Sequence, residues 1–329
     1  MHSKMVELTD IPYALSRGLR KLAVWSLPVR SHLWIADKLG YLRSRYRGVP
    51  PAVRNNLEFV FGDERRAEAL DTISTDYARY EHQLYLYRIL PLHRGFRDTD
   101  LWRIDGLENL DAALKGGRGV VLATAHLGFP HMIPEILRLN GYNIQQVVAS
   151  GERLRRQRRE EEGVARGSRF RKYIHFRTRI VTDAVAEHDI VASLDVRPIL
   201  QMLDQNGIVM IAGDGEWSTE FEILPLLERE YPFPVGFIKL AVMTGAAVLP
   251  AFCIFDSNWK MVTQIHPPLD IDSNHSMREN VAQFAKALEQ QISRTPHQWL
   301  RWRQERWFEK MLSWVDKELP ERYKVDWGD

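Results

Sequence analysis

From about residue 101 onward, continuous apolar runs alternate with stretches of helical character, and this alternation constrains the fold more than any other feature. The apolar runs fall at residues 119–125, 143–149, 207–212, 246–255 and 259–265. The helical stretches lie near residues 134–139, 196–203, 234–244 and 277–293. Strands that are apolar throughout are buried on both faces, and their alternation with helices is typical of parallel sheets. The sequence therefore predicts an α/β fold with a mixed, largely parallel central sheet covered by helices.

The first hundred residues differ from the rest, because their pattern predicts helices and no apolar strand. A polar–apolar segment runs from about residue 63 to 89, and Pro50 and Pro51 punctuate the chain before it. We therefore divide the chain into a helical N-terminal region, 1–100, and an α/β domain, 101–329. A last helix is predicted at about 296–319, and its four tryptophans either cover the sheet as core or sit at a membrane interface.

Composition excludes several classes of protein. Hydrophobic residues make up 45% of the chain and charged residues 27%, which excludes a disordered chain, a collagen-like chain and a coiled-coil rod. The single cysteine, Cys253, excludes a disulfide framework and a cysteine-rich zinc module. The first residues lack an apolar core of the length that a secretory signal needs, so none is expected.

Positive charge is concentrated in two segments, although the formal net charge is only +2. Residues 1–54 hold 10 Lys and Arg against 3 Asp and Glu, and residues 151–180 hold 11 against 4. Such segments either bind an anionic partner or form solvated helical faces. Within the first, residues 11–27 predict a basic amphipathic helix that lies on an anionic bilayer or packs on the protein itself. No transmembrane helix is expected, since Gly245 and Pro250 interrupt the most apolar stretch.

Ionisable side chains follow two of the predicted strands at the point where each strand ends. His126 directly follows the first strand, and Asp214 and Glu216 follow the strand at 207–212. Sites form where loops leave the carboxyl ends of parallel strands, so neighbouring strands would bring these side chains to one edge. A histidine there is suited to be a general base, and a carboxylate bonded to its ring fixes the tautomer. Each feature alone also fits a structural histidine or a simple turn, and only their pairing suggests catalysis.

Six blocks, in order along the chain, carry a resemblance to a known family. The first three are RNNLEFVFGD at 54–63, GLENLDAALKGGRGVVLATAHLGF at 106–129 and GDGEW at 213–217. The others are PFPVGFIKLAVMTGAAVLPAFCIF at 232–255, IHPPLDI at 265–271 and PHQWLRWRQERW at 296–307. Together they resemble the bacterial lipid A late-acyltransferase family, part of the lysophospholipid and glycerol-phosphate acyltransferase superfamily. His126 stands where the superfamily has its catalytic histidine.

The resemblance implies an acyltransferase that moves a fatty acyl group from an acyl-coenzyme A or acyl-carrier-protein thioester to a lipid or glycolipid. His126 would be the general base, with Asp214 as the first candidate for its partner and Glu216 as the second. Gly128 and His131 would lie at the substrate. The resemblance implies no cofactor. It also implies work at the cytoplasmic face of the inner membrane, with the chain attached peripherally or cytoplasmic.

One position departs from the family's pattern of a histidine, four residues and an acid, because His131 stands where the acid is expected. In one interpretation, His126 is oriented by a carboxylate from elsewhere. The candidates are Asp214, Glu216 and, as the weakest, Glu135. In a second, His131 acts together with the catalytic histidine. In a third, the chain has lost transferase activity and binds lipids or acyl carriers. A thioester hydrolase on the same scaffold is a further alternative.

The second basic segment, residues 153–179, contains RLRRQRR followed by RGSRFRKY. It fits the phosphates of coenzyme A, of a phosphopantetheine carrier or of a lipid headgroup, and it would attract an acidic acyl carrier protein. Arg155, Arg158 and Arg169 are candidate anion contacts, unless this segment is a solvated helix whose glutamates pair with its arginines. Nucleic acid is not an expected partner, since no recognition fold accompanies the arginines. The histidine spacing matches no common zinc motif, so no metal site is expected.

Overall fold

A seven-stranded sheet forms the centre of the computed structural model, which describes residues 28–62, 67–87, 101–149, 189–192, 196–216 and 218–315. The strands in chain order are β1 (Trp102–Asp105), β2 (Val120–Thr124), β3 (Ile144–Ala149), β4 (Asp189–Ala192), β5 (Ile208–Ala212), β6 (Phe221–Leu226), β7 (Arg229–Pro234), β8 (Ala247–Phe255) and β9 (Met261–Ile265). The order across the sheet is β1-β9-β8-β2-β5-β3-β4, and β6 and β7 form a separate antiparallel hairpin. Within the sheet only β8 and β9 pair antiparallel. The predicted α/β class with a mixed, largely parallel sheet is confirmed.

The centre of the sheet is buried, and this explains the continuous apolar runs. Every residue of β2 is buried, and so are all but the first of β8. Strand β2 pairs in parallel with β5 on one side and β8 on the other. Thr124, the last residue of β2, is in register with Ala212, the last residue of β5. The two chains that leave these strands therefore start side by side at one edge of the sheet.

Helices cover the sheet, and local signals in the sequence explain where several of them begin or end. In chain order they are α1 (Val29–Arg47), α2 (Pro51–Phe61), α3 (Ala67–Tyr87), α4 (Leu107–Leu114), α5 (Met132–Leu139), α6 (Arg197–Asp204), α7 (Gly236–Thr244), α8 (Met277–Arg294) and α9 (Trp307–Val315). Helix α2 starts with a proline in its first turn, where the missing N–H costs nothing. Helix α8 starts at a capping box between Ser276 and Glu279. Helix α7 ends at Gly245, which adopts the left-handed conformation.

The predicted helix at 296–319 is wrong in its first half. Two 3-10 turns, Pro296–Gln298 and Leu300–Arg303, occupy that stretch, and α9 follows. The α-helix is broken because Trp299 is extended and the Leu300 N–H bonds across the fold to the carbonyl of His126 at 2.8 Å. All four tryptophans of the segment are buried, so the core interpretation is confirmed over the membrane-interface one.

The helical character of the N-terminal region is confirmed for residues 28–62 and 67–87, while the helix predicted at 11–27 lies outside the described residues. Helix α1 packs along α3. Helix α3 reaches the loop after β2, where the Tyr80 hydroxyl donates to the Gly128 carbonyl at 2.6 Å. In the part of the chain that the structure describes, no helix is long and apolar enough to cross a membrane. The domain boundary at 100/101 stays a prediction.

Candidate active site

His126 and Asp214 meet at the carboxyl edge of the sheet, because β2 and β5 end in register. The Gly213 N–H bonds to the Thr124 carbonyl at 2.8 Å, which carries the pairing one step beyond the strands. Just beyond this hydrogen bond, the His126 ring Nδ1 lies 2.7 Å from Asp214 Oδ1. The expectation that these two side chains project from one edge is therefore met in the geometry.

The Asp214 carboxylate is fully buried and surrounded by donors. Its Oδ2 accepts from the His126 backbone N–H and from the Trp299 indole N–H, each at 3.0 Å. Burial alone would raise the pKa of Asp214. The charge that His126 carries when it is protonated, the positive charge of Arg301 and these hydrogen bonds outweigh burial and hold the pKa below its ordinary value. Asp214 is therefore an ionised carboxylate inside the protein.

The ionised carboxylate fixes the tautomer of the His126 ring. A carboxylate can only accept, so the 2.7 Å contact requires a proton on Nδ1. The Arg301 Nη2 also lies 2.9 Å from Nδ1, but a protonated Nδ1 cannot accept. The Nη2 group of Arg301 donates instead to the Asp214 carbonyl at 3.3 Å and to Glu216 Oε2 at 3.2 Å. Nε2 keeps its lone pair, and the side chain is 34% exposed, so the ring can take a proton from a bound group.

Arg301 is a buried cation behind this pair, and sequence reasoning did not single it out. Its side chain is 3% exposed, stands 3.7 Å from Asp214 Oδ2 and lies over the Trp307 ring at 4.2 Å. Glu216, the second candidate for partner of the histidine, forms its ion pair with Arg301. Arg301 therefore lies between two carboxylates below the His126 ring, and its positive charge faces both of them.

The other candidate residues on this side of the sheet have different neighbours. Glu135 forms an ion pair with Arg138 at 2.7 Å, one turn along α5. The His131 ring lies 3.3 Å from the Gln146 side-chain oxygen. Its proposed part in substrate binding stays a prediction. Arg155, Arg158 and Arg169 lie outside the described residues, so their roles stay predictions as well.

Gly128 shapes the loop after β2 through its backbone. Its φ of +65° suits glycine, and a Cβ at this position would collide with the Cys253 carbonyl oxygen. The Gly128 N–H bonds to the Gln298 carbonyl at 2.9 Å, and its own carbonyl accepts from Tyr80. Both backbone groups are engaged within the protein, while the predicted contact of Gly128 with substrate stays a prediction.

The segment after α8 closes the site from the far end of the chain. It supplies Trp299, Arg301 and the carbonyl that binds Gly128. Asn56 of α2 holds this segment: its amide nitrogen donates to the Trp302 and Gln304 carbonyls at 2.9 and 2.6 Å, and its oxygen accepts from the Trp307 N–H at 3.1 Å. The signal for these residues was present in the blocks at 54–63 and 296–307. Among the described residues, no group of three or more His, Cys, Asp or Glu side chains could hold a metal ion.

Comparison with known proteins identifies the class to which this arrangement belongs. The bacterial lipid A biosynthesis acyltransferase family model matches residues 18–309. The chain belongs to this family. It is 28% identical over 264 residues to the phosphatidylinositol mannoside acyltransferase of Mycobacterium tuberculosis H37Rv, covering 77% of this chain and 75% of that protein. It is 26% identical over 278 residues to the protein of that name from Mycolicibacterium smegmatis, covering 81% of each.

Membership of the lipid A biosynthesis acyltransferase family confirms the resemblance that the six blocks carry, and it confirms the predicted enzyme class, acyltransferase. In this family member, a histidine occupies the position five residues after His126. The carboxylate that bonds to the ring comes instead from Asp214, 88 positions further along the chain.

Proposed function

We propose that this acyltransferase moves a fatty acyl group from a thioester to a hydroxyl of an anionic glycolipid, with His126 as general base and Asp214 as the residue that orients it. The 2.7 Å contact between Nδ1 and the buried carboxylate carries the proposal, because it leaves Nε2 basic and partly exposed. The acceptor class draws support from the two mycobacterial relatives, which are named for phosphatidylinositol mannoside.

The reaction follows from this protonation state. His126 Nε2 takes the proton of the acceptor hydroxyl, and the oxygen attacks the thioester carbonyl carbon. The resulting tetrahedral oxyanion collapses, the carbon–sulfur bond breaks, and the thiolate takes the proton back from the imidazolium. Asp214 stabilises the transient imidazolium through the hydrogen bond to Nδ1. The products are an acylated lipid and a free thiol, and no cofactor takes part.

The oxyanion needs a hydrogen-bond donor, and three backbone N–H groups close to His126 are already engaged. The His126 N–H is bonded to Asp214, the Gly128 N–H to Gln298, and the Phe129 N–H to the Cys253 carbonyl. We therefore propose a donor other than these three groups. The arginines of the basic segment 153–179 are the candidates that the sequence offers.

The partners follow the same chemistry. The donor is an acyl-coenzyme A or an acyl carrier protein, whose phosphates would meet Arg155, Arg158 and Arg169. The acceptor lies in a membrane, so the enzyme meets it at a membrane surface. It is either attached peripherally to the cytoplasmic face of the inner membrane or is a cytoplasmic protein that reaches this face from solution.

The test is a thiol-release assay with acyl-coenzyme A and acyl-carrier thioesters, a glycolipid fraction as acceptor and mass spectrometry of the product lipids. We expect release that depends on the acceptor and yields an acylated glycolipid. His126→Ala should abolish both signals. His275→Ala is the matched control, because this exposed histidine lies just before α8, and it should keep the wild-type activity. His131→Ala, whose ring lies beside Gln146, should lose less activity than His126→Ala.

Other outcomes would contradict the proposal in distinct ways. Thiol release with no acylated lipid would identify a hydrolase. No release from any donor, from a folded chain that still binds acyl thioesters, would leave a binding protein. Equal losses in the His126→Ala and His131→Ala variants would show that the two histidines act together.

A further inference from the structure

Helix α1 exposes an unusual concentration of apolar side chains. Of the twelve large hydrophobic residues exposed among the described residues, six lie on this helix. They are Trp34, Ile35, Leu39, Tyr41, Leu42 and Tyr46, and with Arg30, Lys38 and Arg45 they form what we call the α1 outer face. Tyr46 is 82% exposed and Trp34 62%, so these rings are not edges of the core. Leaving them in water costs free energy, which indicates that another apolar phase covers them.

The polar part of the α1 outer face is entirely cationic. The only acidic residue of the helix, Asp37, points inward, where it accepts from Arg79 Nε at 2.6 Å and Trp259 Nε1 at 3.2 Å. Lys38 Nζ stands 3.8 Å from that carboxylate, and the lysine side chain is 54% exposed. Aromatic and aliphatic side chains interleaved with cations are typical of helices that lie in the interface of an anionic bilayer.

A cavity of about 400 Å³ opens where α1 ends, and it continues the positive charge. Arg43, Arg47 and His82 line it together with the loop of Val49 and Pro50. Arg43 also contacts Glu81 at 3.3 Å. Two guanidinium groups around a cavity of this size suit the phosphate of a lipid headgroup.

The inner face of α1 ties this surface to the active site. Leu33 is buried there, and its carbonyl accepts from the Gln83 side chain of α3 at 2.6 Å. The same helix α3 carries Tyr80, which bonds to Gly128, two residues after His126. Helices α1 and α3 therefore connect the α1 outer face to the loop that carries the base.

We propose that the α1 outer face docks the enzyme on an anionic lipid bilayer, with headgroup phosphates in the basic cavity at the end of the helix. This proposal rests on the proposed function, since a lipid acceptor requires a surface on which the enzyme can meet it. The docking proposal adds which face of the enzyme contacts the membrane, and it adds that this membrane is negatively charged.

The test is sedimentation of the full chain with vesicles of phosphatidylcholine, alone or mixed with phosphatidylglycerol. Trp34→Ser combined with Leu42→Ser should lower the partition onto mixed vesicles roughly tenfold or more, because apolar contact is lost. Val242→Ser combined with Met243→Ser is the matched control. These residues are 41% and 63% exposed, close to the 45% and 62% of Leu42 and Trp34, but they lie on α7. The control pair should bind as the wild type does.

Charge is tested separately. Lys38→Gln combined with Arg45→Gln should weaken binding to mixed vesicles by roughly fivefold per cation, and the loss should vanish in high salt. Binding to pure phosphatidylcholine should change little. An equal loss on both kinds of vesicle would contradict the electrostatic part of the proposal.

Two readouts separate this proposal from the proposed function. His126→Ala should bind vesicles as the wild type does, and the ratio of acyl transfer on vesicles to transfer in detergent micelles should fall in the Trp34→Ser/Leu42→Ser variant. Vesicle binding that the variant weakens, in a chain with no acyl transfer, would sink the function and keep the docking face. Vesicle binding that all variants share would overturn the docking face alone. A wild-type dimer that the Trp34→Ser/Leu42→Ser variant dissociates would also overturn it, by assigning the face to a second copy.

Discussion

Replacing Asp214 by asparagine tests how the His126 ring is held, because the substitution keeps the shape and removes the charge. Three donors point at the wild-type carboxylate: the His126 ring N–H at 2.7 Å, and the His126 backbone N–H and Trp299 indole N–H at 3.0 Å each. Asparagine offers one oxygen and one NH₂ group. In either orientation of the asparagine, its NH₂ group therefore faces at least one N–H group, and two donors cannot form a hydrogen bond.

The two orientations of the asparagine have different costs. With the oxygen toward the ring, the NH₂ group faces two buried donors, and leaving both unsatisfied costs about 1–3 kcal/mol each. With the NH₂ group toward the ring, the conflict disappears if the ring moves its proton from Nδ1 to Nε2. The second orientation is therefore favoured, and it places the proton on the nitrogen that has to act as base.

We expect the turnover number of Asp214→Asn to fall by about 10³- to 10⁴-fold in the thiol-release assay, as a wrong tautomer does in other histidine–aspartate sites. Nitrogen-15 chemical shifts of the His126 ring should show a proton on Nδ1 in the wild type and on Nε2 in the variant. The free energy of unfolding should fall by about 1–3 kcal/mol, because the buried donors around this side chain lose an ionised acceptor while Arg301 keeps Glu216 as its counter-charge.

Glu135→Gln is the matched control, since that carboxylate pairs with Arg138 and not with the histidine. It should leave both the turnover number and the ring shifts close to wild type. The reasoning is refuted if the asparagine variant keeps more than a tenth of the activity, or loses it with the proton still on Nδ1.

Three further predictions concern the surroundings of the site. Arg301→Met should lower the free energy of unfolding by about 3–5 kcal/mol in urea titrations, and adding Glu216→Gln should recover part of the loss by removing one of the two carboxylates left without a cation. Gly128→Ala should abolish soluble expression, because its Cβ would collide with a backbone carbonyl, whereas Gly141→Ala, with the same left-handed backbone and open space, should cost about 1 kcal/mol by calorimetry. Burial and a nearby arginine lower the pKa of His266, so the unfolded chain takes up a proton at this residue at a higher pH than the folded chain does. The melting temperature should therefore decrease as pH falls below about 6.5. His266→Gln should make the melting temperature depend less on pH in that range.

Three of the five strands that the apolar runs predicted lie at the centre of the sheet and are largely buried on both faces. Strands β2, β5 and β8 form continuous apolar runs because helices cover them on either side. Strand β6 buries only alternate positions in its second half, so it left no such run, and β1 shows a similar alternation. The last helix was predicted too long because tryptophans recur along the whole segment. In the structure Trp299 is extended, Trp302 lies in a 3-10 turn, and Trp307 and Trp314 lie in α9.

The candidate site was predictable only as far as it depends on strand ends. His126 and Asp214 each follow a buried strand, so parallel pairing alone brings them together. Arg301 comes from a loop 175 positions away from the histidine it contacts, and no local pattern encodes that approach. Choosing Asp214 over Glu216 also required the structure, because both follow the same strand and only the packed arginine separates their environments.

The segment from Pro296 to Trp307 has a consequence for the order in which the enzyme comes into being during synthesis. A ribosome completes β2 and β5 well before it reaches this segment, so a nascent chain holds the base and its carboxylate long before it holds Trp299 or Arg301. Until Asn56 forms its hydrogen bonds with this segment, the Asp214 carboxylate lacks its indole donor and its counter-charge. A chain that stalled before this point would carry the histidine and Asp214, but not the indole donor and the cation that help to keep the carboxylate ionised. The base would therefore meet a fully supported carboxylate only after the segment from Pro296 to Trp307 has been synthesised and bound.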